Sequence, residues 1–429
     1  MSQHKKLVWA LVLAIICGLC LHPFSDVLWI KAINTHLLQP IGQIFLRMIF
    51  MVVVPLIFSA LVLATYELGQ SHGLGTIARK LLVYTLIIST LSVVIGISLV
   101  NVLKPGAGFV ISKEQQGLMS ENAKAIAEIG KTASGKKPAS QAIVELIPKN
   151  PLDSALRALD GELIPFMIFA LIFGIALSLL KSSTTLVPLL EQIYEISMRV
   201  IGFAMVIAPF GVFALVFNTI FIAGYGIIYS LFLYVLTVVL GLLIQQFLVY
   251  STILKLIAKR NPWQFFKACR DVYLYAFSTS SSNATLPKSL ETAEIKLGIP
   301  SDISRFVLTV GATANQNGTA IFEGITVLFL AQVYSIDLTL GQQVNVVLFS
   351  ILAGVGTAGV PGGSLPLIMV LLQSVGIPPE GIGLILGVDR FLDMCRTTIN
   401  VSGDLVIAAL VAPRKAMREA SNVVEQASG

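Results

Sequence analysis

Apolar runs of about twenty residues recur along this chain, near 7–23, 39–66, 78–103, 160–181, 193–221 and 226–257. A helix of that length crosses a hydrocarbon core about 30 Å thick. It also satisfies its own backbone hydrogen bonds, which lipid cannot do for it. Composition agrees: 55% of residues are hydrophobic, 12% are charged and mean hydropathy is +0.86, against about 25% charged in soluble domains. An all-α polytopic membrane protein is expected.

The net charge of +6 is not a nucleic-acid signal, because the basic residues sit between apolar runs. His4, Lys5 and Lys6 precede the first run, and Arg79 and Lys80 lie at the start of the third. Lys255, Lys259, Arg260, Lys267 and Arg270 cluster at and beyond the end of the sixth, and Arg414, Lys415 and Arg418 follow the last apolar stretch. Cytoplasmic loops carry such an excess. The expectation is an inner (plasma) membrane protein with both termini cytoplasmic. The first run follows two lysines like a signal peptide, but Leu21-His22-Pro23-Phe24 is too bulky for a cleavage site, so it reads as a retained helix. Cys17 and Cys20 lie within that helix, and with only Cys269 and Cys395 besides, neither a disulfide framework nor a metal site is expected. Residues 104–150 are polar and read as a mobile loop; their lysines fall on the external side, where long loops obey the charge rule poorly. In the fifth run, Ala208-Pro209-Phe210-Gly211 predicts a kink, since proline removes a backbone donor.

The second half departs from ordinary spans. Small, helix-breaking patches occur at 276–287 (Ala-Phe-Ser-Thr-Ser-Ser-Ser-Asn-Ala-Thr-Leu-Pro) and at 353–364 (Ala-Gly-Val-Gly-Thr-Ala-Gly-Val-Pro-Gly-Gly-Ser). The apolar arms beside each are too short to span separately. Non-helical backbone at membrane depth is tolerated where it is buried in protein or lines a cavity, and a pair of such interruptions in corresponding halves points to a transporter's binding site. Between them, 311–319 (Gly-Ala-Thr-Ala-Asn-Gln-Asn-Gly-Thr) interrupts the seventh apolar run. An unwound turn there frees carbonyls for an alkali cation and turns half-helix ends toward an anion. Finally, at about 100° per residue, Asp389, Asp393, Arg396, Asn400 and Asp404 fall within roughly 80° of one another. Charges at membrane depth mark a functional site by default. The alternative, an internal salt bridge locking two helices, needs one pair, whereas this stripe carries four charges besides Arg390.

These pieces, in this order, resemble the dicarboxylate/amino acid:cation symporter family, the glutamate-transporter homologues. Phe45-Leu46-Arg47-Met48 leading to Pro55, and Ala208 to Ala214, extend the resemblance over nearly the whole chain. It implies eight membrane helices plus two re-entrant hairpins, near 262–297 and 340–378, in an elevator-type transporter with inverted repeats. It implies a homotrimer with scaffold helices in 1–75 and 151–225. The transport domain would comprise 76–103 and 226–412, with a polar loop at 104–150 and a cytoplasmic tail at 413–429.

Carried over by position, the resemblance pairs Arg396 with a substrate side-chain carboxylate, a task suited to a planar guanidinium, and Asp393 with its α-amino group. Asn400 and Thr319 would bond the α-carboxylate and the side-chain end, helped by the backbones of Ser282 and Val360. One sodium site would use Asp404 with carbonyls of Gly311, Asn315 and Asn400; a second would use carbonyls of Thr313, Gly354, Val355 and Thr357.

Three departures stand out. Gln316 and Asn317 replace a usual methionine and aspartate; that aspartate serves a further sodium site whose threonine partner is here Ile88, with Tyr84, Thr85 and Ser89 nearby. Ser280 stands where many prokaryotic members have arginine, and Arg390 is added on the eighth helix. Glu323 occupies a position that is glutamine in sodium-only archaeal relatives and a proton-carrying glutamate in animal transporters.

The reading is therefore a symporter importing acidic amino acids, glutamate or aspartate, with sodium, protons or both, and no enzyme. A C4-dicarboxylate carrier has no amine for Asp393, and a neutral amino-acid carrier does not need Arg396. An intramembrane serine protease needs a base beside its nucleophile, yet His4, His22, His36 and His72 all lie in the first quarter. A passive channel fits poorly, because permeant ions must leave as readily as they enter.

Overall fold

The computed structural model describes residues 3–24, 27–69, 75–107, 144, 147–158, 163–180, 185–223, 226–356 and 363–412. All their regular structure is helical. Most of the 104–150 loop, the 413–429 tail and the expected ligands Thr357 and Val360 lie outside the described residues, and of Val355 only the backbone is described.

The chain opens with α1 (Gln3–Leu21), α2 (Leu28–Ile33), α3 (Gln39–Phe50), α4 (Val53–Gly69) and α5 (Gly75–Leu103). The second apolar segment starts earlier than hydropathy near 39–66 implied: α2 joins α3 through a π-turn at Asn34–Leu38. A break at Met51–Val52 precedes α4, and Pro55 sits in the first turn of α4, where its missing N–H breaks no helical bond. After α6 (Pro151–Leu156) and α7 (Leu163–Ser178), α8 runs from Leu186 to Ala223 with Pro209 inside it, uninterrupted. α9 (Gly226–Ile244) continues helically through two π-turns to Ala258.

From there the helices shorten as the sequence patches require. α10 (Pro262–Ala268) and α11 (Arg270–Thr279) lead to a reversal at Ser280, whose φ of 51° is left-handed, and α12 (Ser282–Glu291) returns. Ser281 caps α12 by accepting from the Ala284 amide at 3.2 Å. The seventh apolar run splits into α13 (Ser301–Ala314) and α14 (Asn317–Val333), with Asn315 and Gln316 out of helical conformation between them. α15 (Leu340–Gly356) and α16 (Leu365–Ser374) flank the second patch, and α17 (Ile382–Val411) carries the charged stripe.

Five of the described helical runs are long and apolar enough to cross a membrane. Their outer faces are apolar: Leu82, Leu86 and Val94 on α5 and Phe232, Leu236 and Leu243 on α9 are exposed. The polar stripe points the other way, into protein, as spanning helices demand. Packing falls into two groups. α8 lies against α1, α3 and α4, and α7 against α4. In the other group α14 is enclosed by α5, α9, α15, α16 and α17, while α11 and α12 pack on α17. The groups meet where α17 lies against α8 and where α13 and α15 lie against α4.

Candidate functional site

α17 passes behind the α13–α14 break, and the site forms at that crossing. Asp389, Asp393 and Arg396 share one face because seven residues span nearly two whole turns. Arg396 is 1% exposed. Its Nη1 donates to Asp389 Oδ1 at 3.0 Å and its Nε to Asp393 Oδ1 at 3.0 Å. The guanidinium carbon sits 4.2 Å from the centre of the Phe322 ring on α14, a contact worth more when desolvated. Nη2 is 3.0 Å from Asp393 Oδ1 but off hydrogen-bond geometry, leaving donor capacity. Arg390 Nη1 lies 3.6 Å from the other Asp393 oxygen.

One turn on, Asn400 ties the two half-helices to α17. Its Oδ1 accepts from the Gly318 and Thr319 amides at 2.7 and 3.2 Å, meeting donors that the start of α14 cannot satisfy within the helix. Its Nδ2 donates to Thr319 Oγ1 at 3.1 Å and to Gln316 Oε1. Gly318 is required here: a Cβ would come 2.5 Å from the Arg396 carbonyl oxygen.

Beyond it, buried Asp404 accepts from Asn315 Nδ2 at 2.8 Å. Gly311 admits that carboxylate, since a Cβ would sit 2.6 Å from its Oδ1. Asn315 Oδ1 is buried without a hydrogen-bond partner. A carboxylate, an amide oxygen and the carbonyl end of α13 form a hard-oxygen set suited to an alkali cation. Nearby, Ser89 Oγ donates to Asn317 Oδ1 at 2.7 Å, and Asn317 Nδ2 donates to the Tyr250 hydroxyl at 3.2 Å. Tyr250 in turn donates to the Ile399 carbonyl at 3.2 Å. This network is neutral, and Ile88 beside it is buried.

A model of the sodium:dicarboxylate symporter family matches residues 4–413. The chain belongs to that family. It is 33% identical over 416 residues to the proton/sodium-glutamate symport protein of Bacillus subtilis (strain 168), covering 96% of this chain and 94% of that protein. It is 34% identical over 413 residues to the proton/glutamate-aspartate symporter of Escherichia coli (strain K12), covering 96% and 92%. The C4-dicarboxylate transport protein of Bacillus subtilis (strain 168) is 28% identical over 396 residues, 91% of each chain. The sodium:dicarboxylate symporter family is one of transporters, not enzymes.

In this family member, Thr319, Asp393, Arg396 and Asn400 come together at one crossing, with Gly311, Asn315 and Asp404 beside them. Ser282 is buried at the start of α12, which packs on α13 and α17. Thr313 and Gly354 lie at the ends of α13 and α15, two helices in contact, and a Cβ on Gly354 would be 3.7 Å from the Gln316 carbonyl oxygen. Glu323 is fully buried on α14, facing Ser350 of α15 and within reach of the Arg396 charge. Sequence reasoning gave no role to Asp389, Phe322 or Tyr250. Asp389 was visible on the stripe; the other two depend on contacts between distant helices, and only their aromatic character within apolar segments could have marked them.

Proposed function

We propose that this chain is a secondary symporter that imports glutamate or aspartate together with sodium and protons. The observation that carries the reading is the buried Arg396 set beside Asp393. A guanidinium complements a side-chain carboxylate and a carboxylate complements an ammonium, so the pair matches an acidic amino acid at both ends. Asp393 releases Arg396 to the substrate and takes the α-amino group in exchange. Thr319, Asn400 and the Ser282 and Val360 backbones hold the remaining oxygens. Relatives named for glutamate and aspartate symport support the choice.

Asp404 with Gly311, Asn315 and Asn400 forms one sodium site, and Thr313, Gly354, Val355 and Thr357 a second. The Ser89–Asn317–Tyr250 network stands where a third would be and offers a cation no charge. Glu323 supplies the compensating proton: a fully buried carboxyl with no ion-pair partner among the described residues is costly to leave ionised. We assign eight spans and two hairpins in a homotrimer, α1–α4 and α6–α8 forming the scaffold and the rest moving as an elevator. The termini are cytoplasmic and the membrane is the inner one.

A C4-dicarboxylate substrate is the second reading. It is favoured by Arg390 and Arg396 both flanking Asp393 and by the C4-dicarboxylate relative. Uptake of radiolabelled aspartate and, in parallel, of radiolabelled succinate, each competed by unlabelled glutamate, aspartate, succinate and serine, separates the two. Aspartate uptake inhibited by glutamate and not by succinate or serine is the expected result, and strong succinate inhibition with no glutamate inhibition overturns it.

A further inference from the structure

Away from the crossing, α9, α10, α11 and α17 enclose a groove of about 780 Å³ on the outer surface, within the roughly 300–1,000 Å³ of ligand pockets. Leu243, Phe247, Leu274 and Phe277 make its walls, and Thr398 and Ile399 of α17 its floor. Lys267 and Arg270 stand on its rim. Phe247, Trp263 and Phe266 also line a second hollow, of about 690 Å³, bordered by Lys255, Lys259 and Arg260. The surface is thus an apolar trough ending in a basic one.

No described carboxylate pairs with the four exposed cations of that basic end. Lys255, Lys259, Lys267 and Arg270 are exposed and have no ion-pair partner among the described residues. The adjacent carboxylate, Asp271, is held by Lys296 at 2.8 Å. Arg260 is fixed by donating to the Leu297 carbonyl at 3.0 Å. Basic residues beside an apolar, membrane-facing trough, on the side the positive-inside pattern makes cytoplasmic, match an amphiphile with an anionic head and a long apolar tail. Basic pockets between membrane helices at that surface bind such head groups.

We propose that this groove binds an anionic glycerophospholipid, its phosphate among Lys267, Arg270 and the second hollow and an acyl chain along Phe247 and Phe277. The site is independent of the transport reading. It touches it at one place, since Thr398 and Ile399 lie between Arg396 and Asn400 on α17. An occupant would therefore press on the back of the helix that carries the buried stripe.

The sequence contains three tryptophans, Trp9, Trp29 and Trp263, so a Trp9→Phe/Trp29→Phe background leaves one reporter at the junction of the two hollows. The full chain is reconstituted in phosphatidylcholine vesicles carrying a minor fraction of brominated-chain lipid, and quenching of Trp263 is measured. Each basic side chain near an anionic lipid contributes about fivefold. Brominated phosphatidylglycerol should quench on the order of 10–25-fold more strongly, per mole fraction, than brominated phosphatidylcholine. Lys267→Gln/Arg270→Gln should erase the preference, while Lys288→Gln, already paired to Glu291, should keep it. Equal quenching by the two lipids overturns the proposal. So does a preference that survives Lys267→Gln/Arg270→Gln, or quenching by neither lipid, which would mean that protein, such as a second copy of the chain, covers the groove. Loss of the preference under high salt would assign it to a diffuse surface layer rather than a site, and would overturn it too.

Discussion

Arg396→Cys removes one cation from between two carboxylates. The side chain is 1% exposed and holds Asp389 and Asp393, each at 3.0 Å. Deleting one partner of a buried pair costs about 3–5 kcal/mol, because the charge left behind stays buried. For a bound acidic amino acid that loss is on the order of 10²–10⁴-fold in Kd. The same deletion takes the buried cation from both Asp389 and Asp393, with Arg390 still 3.6 Å from Asp393, so thermal stability should fall as well. Adding Asp389→Asn separates the two effects. It should recover part of the Tm without recovering aspartate binding, whereas serine or alanine binding should be kept or gained. Calorimetry on purified protein reads the affinities, and a melting curve reads stability. Unchanged aspartate affinity in Arg396→Cys would refute the reasoning and reduce the buried arginine to a structural clamp.

Asp393→Asn should weaken amino acids by about 10–150-fold, the worth of a charge-assisted hydrogen bond, and plain dicarboxylates far less; equal losses for aspartate and succinate would make Asp393 structural. Gly311→Ala places a Cβ 2.6 Å from Asp404 Oδ1, so half-maximal uptake should need several-fold more sodium. An unaltered sodium curve would take Asp404 out of the ion site. Asn317→Asp puts a carboxylate against Ser89 and Tyr250 and should steepen the sodium dependence of transport, while an unchanged slope would mean that no cation visits that position.

Much of this architecture could be read from the chain because lipid leaves few options. The small-residue patch at 276–287 became the Ser280 reversal, the interruption at 311–319 became the Asn315–Gln316 break, and the stripe on α17 needed only the helical period. Asp389 shared that period with Arg396, so their pairing was available from spacing alone. The bond from Ser89 to Asn317 was not, since it joins helices 228 residues apart in sequence, and no local pattern encodes such a distance. The Phe322 face under Arg396 escaped for the same reason. The start of the second segment at Leu28, continued into α3 by the π-turn at Asn34–Leu38, escaped for another, because the polar Asn34, Thr35 and His36 lower the hydropathy of a stretch that the helix runs through, with Asn34 alone of the three buried. Pro209 lies inside α8, which is helical on both sides of it from Leu186 to Ala223.

Coupled accumulation is the claim on which the rest depends. Radiolabelled glutamate or aspartate uptake into proteoliposomes, with sodium and proton gradients imposed separately, tests it for the wild type and for Glu323→Gln. The account predicts accumulation above the external concentration under an inward sodium gradient. An inward proton gradient should raise it further in the wild type and not in Glu323→Gln. Simple equilibration under either gradient would contradict symport altogether. Full stimulation by sodium, with no response to the proton gradient in either form, would remove Glu323 from the mechanism.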